Sequence, residues 1–166
     1  ALAYCPTLST GTGTLGLLDL SGTSIATIGS QAFQYCSSLT EIVLPTSLVT
    51  INPGTFAFCS GVTSVTLGSA TTTFGSNAFS NCSSLTSMTL PSTVTTVADN
   101  AFNGDTSLAS VVLSSSLTSL GNGAFSGDTS LTNVTFNNDQ TTAVTLTGST
   151  FNGCTSLTSI ILPKGV

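Results

Sequence analysis

Apolar residues return at fixed places along this chain. Phenylalanine stands at 33, 56, 79, 102, 125 and 151, at intervals of 23, 23, 23, 23 and 26 residues. The same pattern surrounds each one: "IGSQAFQYCSSLTEIVLP" begins at Ile28, "FGSNAFSNCSSLTSMTLP" at Phe74 and "LGNGAFSGDTSLTNVTF" at Leu120. Counting from those residues, positions 1, 6, 12, 15 and 17 are apolar. Position 12 is Leu39, Val62, Leu85, Leu108, Leu131 and Leu157. Position 15 is Ile42, Val65, Met88, Val111, Val134 and Ile160, and position 17 is Leu44, Leu67, Leu90, Leu113, Phe136 and Leu162.

Positions 15 and 17 alternate with polar neighbours, which is strand periodicity. A strand of about four residues per repeat cannot stand alone. Stacked at ~4.8 Å, such strands form a parallel sheet that buries their apolar side. The "SNAF" segment, with Ser, Asn or Gly ahead of Ala-Phe, reads as a capped helical turn carrying the Phe inward. The expected architecture is one solenoid of about seven 23-residue coils, with a short parallel sheet on one face and turns and short helical turns on the other. Residues 1–27 form a degenerate first repeat, in which Leu15, Leu18 and Leu20 match positions 12, 15 and 17. Residues 28–145 hold five regular repeats, the last with a three-residue insertion near "NNDQTTAVT", and 146–166 an incomplete one.

The consensus "IGxxAFxxCxSLTxIxLPxxVTxI", nearly whole at 28–51 and 74–97, resembles the BspA-like leucine-rich repeats over about residues 15–166. The resemblance implies a leucine-rich-repeat solenoid from a secreted or cell-surface protein, engaged in adhesion to matrix or to other cells. This chain departs from the pattern at Asp105 and Asp128, where Cys is usual.

The two ends bear on how such a solenoid works. Exposed solenoid ends offer apolar core and unpaired strand edges, and no conventional cap is visible in the sequence. If a second copy follows Val166, Leu162 to the next Leu20 is 24 residues, and Ile160 to Leu18 and Leu157 to Leu15 are spaced alike, one more than the period. Head-to-tail stacking of this kind is a heterologous contact that builds a fibre. The first expectation is therefore a structural homopolymer, with Ala1, Leu2, Tyr4, Leu8, Leu15, Leu18 and Leu20 meeting Phe151, Leu157, Ile160, Leu162 and Val166. The bland alternative is a module of a longer array.

Composition narrows the chemistry. Charged residues are only 4% of the chain, against about 25% in an average soluble protein. There is one basic residue, Lys164, and no His, while Ser and Thr make up about a third. Nucleic-acid binding lacks the required cations, and no apolar run is long enough for a membrane span. Two sequons, at Asn81 and Asn133, fit a secreted glycoprotein. No cofactor or metal is expected, since neither Cys-x-x-Cys nor His partners occur. Cys36, Cys59, Cys82 and Cys154 share one repeat position and read as a ladder of buried thiols, while Cys5 stands outside it. Asp105 and Asp128 in neighbouring coils raise the idea of paired glycosidase carboxylates. The competing reading is that each caps backbone N–H groups within "GDTSL". "GTGTLG" at 11–16 spells a dinucleotide-type glycine motif but precedes a strand pattern, so it reads as a loop. Scarce acids and bases argue against an enzyme.

The outward strand positions carry the competing function. Position 14 is Glu41, Ser64, Ser87, Ser110, Asn133 and Ser159; position 16 is Val43, Thr66, Thr89, Val112, Thr135 and Ile161. They tile one face with hydroxyls and β-branched side chains. That face reads as a solvated sheet, as an adhesin surface for a protein or glycan, or, remotely, as an ice-binding rank interrupted by Val43, Val112 and Ile161.

Overall fold

In a computed structural model, the structure describes residues 16–136 and 143–161. The described chain winds through six circuits of two short strands each, and a thirteenth strand opens the next. In order these are β1 (Leu17–Asp19), β2 (Thr27–Ile28), β3 (Glu41–Val43), β4 (Thr50–Ile51), β5 (Ser64–Thr66), β6 (Thr73–Phe74) and β7 (Ser87–Thr89). They continue as β8 (Thr96–Val97), β9 (Ser110–Leu113), β10 (Ser119–Leu120), β11 (Asn133–Phe136), β12 (Thr145–Leu146) and β13 (Ser159–Ile161). We number the repeats from Ile28: repeat 1 is 28–50, repeat 2 is 51–73, repeat 3 is 74–96, repeat 4 is 97–119, repeat 5 is 120–145, and repeat 6 starts at Leu146.

Every strand pairing is parallel, and the registers follow the sequence period. Thr27 pairs with Thr50, and Ile42 with Val65. Leu18 pairs with Ile42, as the match of the degenerate repeat to position 15 requires. Beyond the insertion the offset grows to 26, with Ser119 on Thr145 and Asn133 on Ser159.

Two features differ from the sequence expectation. The single sheet is instead two systems. The even-numbered strands make an unbroken six-stranded sheet, whereas the odd-numbered ones divide into β1-β3-β5 and β7-β9-β11-β13. At the division, Thr86 N reaches Thr63 O at only 3.5 Å, against 2.8 Å for the preceding contact, Thr63 N to Thr40 O. Glycine explains the joint. Gly61 and Gly68 flank β5, where repeats 1 and 3 carry Ser38 and Pro45 or Ser84 and Pro91. A Cβ on Gly61 would lie 2.3 Å from the Ser37 carbonyl oxygen, and one on Gly68 2.0 Å from that of Pro45. With no side chain at either place, β5 lies close against repeat 1 and is not paired with β7, while β4 of the same repeat still pairs with β6.

The second correction concerns the helical turns. No helix occurs among the described residues. The segment around each Phe is a ribbon of consecutive turns. Ala32, Gln34 and Cys36 donate within the coil, to the carbonyls of Gly29, Gln31 and Phe33. Gln31, Phe33 and Tyr35 donate instead to Pro53, Thr55 and Ala57 of the next coil. This alternation needs left-handed backbone at repeat positions 4 and 8. Those positions have φ of 58° and 63° at Gln31 and Tyr35, 63° and 61° at Gly54 and Phe58, and 57° and 60° at Asn77 and Asn81. An α-helix cannot carry a left-handed residue every fourth place.

The interior is mostly apolar and repetitive. Leu39, Ile42, Leu85, Leu108 and Leu131 are fully buried, as are Phe56, Phe79, Phe102 and Phe125. The phenylalanine rings stack in a column, with centroids 5.4, 5.1, 5.7, 5.2 and 5.7 Å apart from Phe33 to Phe151. Each such contact adds about 0.5–1.5 kcal/mol beyond burial. Many hydroxyls serve the stack as well. The Thr63, Thr118 and Thr132 hydroxyls donate to the carbonyls of Thr40, Thr95 and Ala109, each 23 residues earlier. The Ser/Thr content is thus partly structural.

Candidate functional site

Two surfaces and one internal ladder carry the residues singled out by sequence, and the structure adds a third surface. The outward strand face is assembled as the repeat pattern requires. Its twelve residues all lie in β3, β5, β7, β9, β11 and β13, with Glu41 beside Ser64, Ser87 beside Ser110, and Asn133 beside both Ser110 and Ser159. Ser64, Thr66, Ser87 and Thr89 are exposed, Val43, Val112 and Thr135 half-buried, and Ile161 is 63% exposed. The face is divided between β5 and β7, at the joint described above.

Of the end residues, Ala1, Leu2, Tyr4, Leu8, Leu15, Leu162 and Val166 lie outside the described residues, as do Cys5 and all of the 11–16 glycine motif but Gly16. Leu18 is buried, and Leu20, Phe151, Leu157 and Ile160 are partly buried against the core. The sequon residue Asn133 is exposed. Asn81 is half-buried, and its side-chain amide donates to the Ser80 hydroxyl at 2.8 Å.

The internal ladder occupies repeat position 9. Cys36, Cys59 and Cys82 are buried thiols, and Cys154 is half-buried. The Cys59, Cys82 and Cys154 thiols donate to the carbonyls of Phe33, Phe56 and Phe125 in the coil before, at 3.1, 3.3 and 2.9 Å. Asp105 and Asp128 occupy the same slot and are fully buried. Asp105 Oδ1 accepts the Cys82 backbone N–H, and Asp128 Oδ1 accepts that of Asp105, both at 2.8 Å. Each carboxyl therefore caps a backbone donor of the preceding coil. Burial pushes Asp128 up to about 8, and raises Asp105 well above the ordinary carboxylate range, with Asp128 adding to it. Their Oδ2 atoms are buried and accept nothing. A protonated Oδ2 would be a donor, like the thiols it replaces. The paired carboxylates are thus enclosed, with no opening for a substrate. Among the described residues, no group of three His, Cys, Asp or Glu side chains is placed to hold a metal.

The third surface was not singled out by the repeat pattern. A cleft of about 480 Å³ opens on the turn ribbon of repeats 1–3. Gly54 and Ala57, both buried, form its floor. Gln31 and Gln34 of repeat 1, Phe58 of repeat 2 and Asn77 of repeat 3 also line it. Phe58 is 38% exposed and stacks on Tyr35, itself 47% exposed, at 4.7 Å. Gln31, Tyr35 and Phe58 all have left-handed backbone. Elsewhere these positions hold Gly or Asn, save Ser149. A bulky residue there costs on the order of 1–3 kcal/mol. In repeat 4, ribbon side chains bond the following coil, Asp99 Oδ1 accepting Asn122 N–H at 2.8 Å and Asn103 donating to Ser126 O at 2.9 Å. The sequence signal was an aromatic at a position that otherwise takes Gly or Asn.

Comparison with known proteins places this geometry. A family model described as BspA type leucine rich repeat region matches residues 26–145 in six copies. A solved T. pallidum leucine rich repeat protein is 26% identical, with a TM-score of 0.78 over 89% of this chain and 69% of that one. A leucine-rich repeat protein from Bacteroides ovatus is 26% identical, with a TM-score of 0.74 over 95% of this chain and 44% of that one. The pneumococcal vaccine antigen PcpA is 25% identical, with a TM-score of 0.60 over 65% of this chain and 27% of that one. The chain thus spans less than half the length of the last two. No curated protein matches it in sequence.

Proposed function

This chain belongs to the BspA-type leucine-rich repeat family, and from that premise we propose that it is a non-catalytic recognition module displayed outside the cell, binding a protein or glycan through its outward strand face. The carrying observation is the alignment of twelve outward side chains over six coils, ten of them small or β-branched, on two parallel sheets that divide between β5 and β7. Glu41 is the only ionisable residue among them. A non-catalytic role is supported by the enclosure of Asp105 and Asp128, whose Oδ1 atoms are used in holding the coils together. Low charge, abundant hydroxyls and the vaccine-antigen relative support an extracellular setting.

The test is binding of the chain to coated extracellular-matrix protein and to mucin. Thr89→Lys adds a bulky charge to the centre of the face and should abolish binding while the melting temperature stays within a few degrees. Retained binding in that variant would exclude this face.

A second reading is end-to-end association into a fibre. It is favoured by the last described coil, where Phe151, Leu157 and Ile160 are only partly buried and Leu146 is 40% exposed. A further coil fits there, continuing in the same chain or supplied by a second copy. Electron microscopy of the native protein tests it. Unbranched filaments with an axial repeat of roughly 33–35 Å, about seven strand spacings, would establish the homopolymer; isolated short particles would dismiss it.

A further inference from the structure

Repeats 1–3 hold an opening that the regular stack does not need. Two buried small residues, Gly54 and Ala57, leave a depression between the Gln31 and Gln34 side chains of repeat 1 and Asn77 of repeat 3. Gly54 suits this shape, since its backbone is left-handed and a Cβ there would meet Gln31 Cγ at 3.0 Å. Among the described residues, three of the four left-handed ones that are neither Gly nor Asn cluster at this spot: Gln31, Tyr35 and Phe58. The fold itself would accept Gly or Asn at each, as it does at Asn81, Gly104 and Gly127. Such concentrated backbone strain is characteristic of ligand-binding positions.

The chemistry of the cleft specifies its occupant. None of its lining residues is ionisable, so neither a cation nor an anion finds a counter-charge there. Carboxamides both donate and accept, which matches a ligand rich in hydroxyls. The Phe58 ring, backed by Tyr35, supplies an apolar wall for a flat C–H surface. An open cleft of about 480 Å³ falls in the range of small-ligand sites. We propose that the cleft bounded by Gln31, Gln34, Phe58 and Asn77 is a binding site for a neutral saccharide. It lies on the turn ribbon, away from the outward strand face, and stands or falls independently of that face.

The experiment uses the whole chain with soluble neutral glucan, mannan and galactan oligosaccharides, read by saturation-transfer NMR and titration calorimetry. At least one should bind, with transfer to its ring C–H protons. Phe58→Gly and Phe58→Asn install residues native to this repeat position, so both should fold; each should weaken binding at least tenfold. Gln31→Gly should do the same, and Thr89→Lys on the strand face should leave saccharide binding unchanged. Absence of binding to all three sugars overturns the proposal, as does undiminished binding in both Phe58 variants. Loss of matrix-protein binding in Phe58→Gly without any saccharide binding also overturns it and assigns the cleft to a polypeptide.

Discussion

Repeats 1–3 and repeats 4–5 share one spine but answer the same local problems differently. At position 9 the first three place Cys36, Cys59 and Cys82, and the next two place Asp105 and Asp128. At position 8 the first three have Tyr35, Phe58 and Asn81, and the next two have Gly104 and Gly127. The strand system also breaks within the first group, between β5 and β7, and runs continuously from β7 onward. The later repeats thus use the residue best suited to each backbone conformation. Repeats 1 and 2 hold bulky side chains under strain, and repeats 1–3 bound a cleft. The difference separates what the solenoid requires from what it tolerates for another purpose.

The largest expected effect is a pH dependence confined to the aspartate repeats. An unfolded aspartate titrates near ~3.9, whereas burial pushes Asp128 up to about 8. Between those values the folded chain holds a proton that the unfolded chain has released. Stability therefore falls as pH rises, by on the order of 1.4 kcal/mol per pH unit for this one group. The contribution is complete below about pH 4 and gone above about pH 8. Asp105 is raised too, by burial first and by Asp128 second, and acts with the same sign. The cysteine repeats lack this sensitivity, since burial holds even the half-buried Cys154 up at about 11. Urea unfolding from pH 4 to 8 should show the decline, and Asp105→Cys with Asp128→Cys should flatten it. A curve that rises with pH in the native chain would reverse this reading of the carboxyls.

The common spine gives the next effect. Phe102 meets Phe79 and Phe125 face to face and Phe74 at a tilt, at 5.7, 5.2 and 5.3 Å. Phe56 meets only Phe33 and Phe79 in this way. Both are fully buried. Truncating a buried Phe to Ala costs about 3–5 kcal/mol. Phe102→Ala should fall toward the upper end and Phe56→Ala toward the lower, by chemical denaturation. Equal losses would mean that burial alone, and not ring contact, sets the strength of the column.

The winding, the period and the buried set were legible because each rests on a repeated side chain. Position 15 residues pair as the spacing required, from Leu18 on Ile42 to Val134 on Ile160. The helical turn was misread because position 6 Phe and its Ala neighbour suit a helix. The decisive signal lay instead in Gly and Asn at positions 4 and 8, which a left-handed ribbon needs. The second sheet was missed because β2, β4 and their equivalents are only two residues long and show no alternation. The cleft depends on which small residue stands between which larger ones across three coils, a relation that no single repeat displays.

The smallest effect concerns the joint between β5 and β7. If Gly61 and Gly68 let repeat 2 sink onto repeat 1, a side chain at either should push it back. At Gly61 an added Cβ meets backbone, 2.3 Å from the Ser37 oxygen and 2.8 Å from that of Leu39, so the coil itself must move. Overpacking of this kind costs about 1–3 kcal/mol. Movement toward repeat 3 would shorten the 3.5 Å contact from Thr86 N to Thr63 O and bury the half-exposed Val65 and Leu67, offsetting part of that cost. Gly61→Ala should therefore destabilise by about 1 kcal/mol, the low end of that range, while slowing amide exchange at Thr86. A loss with no added protection at Thr86 would show that the joint is held open by something other than glycine. Repeats 1–3 would then be irregular at the strand face for a reason of their own, separate from the strain on the turn ribbon.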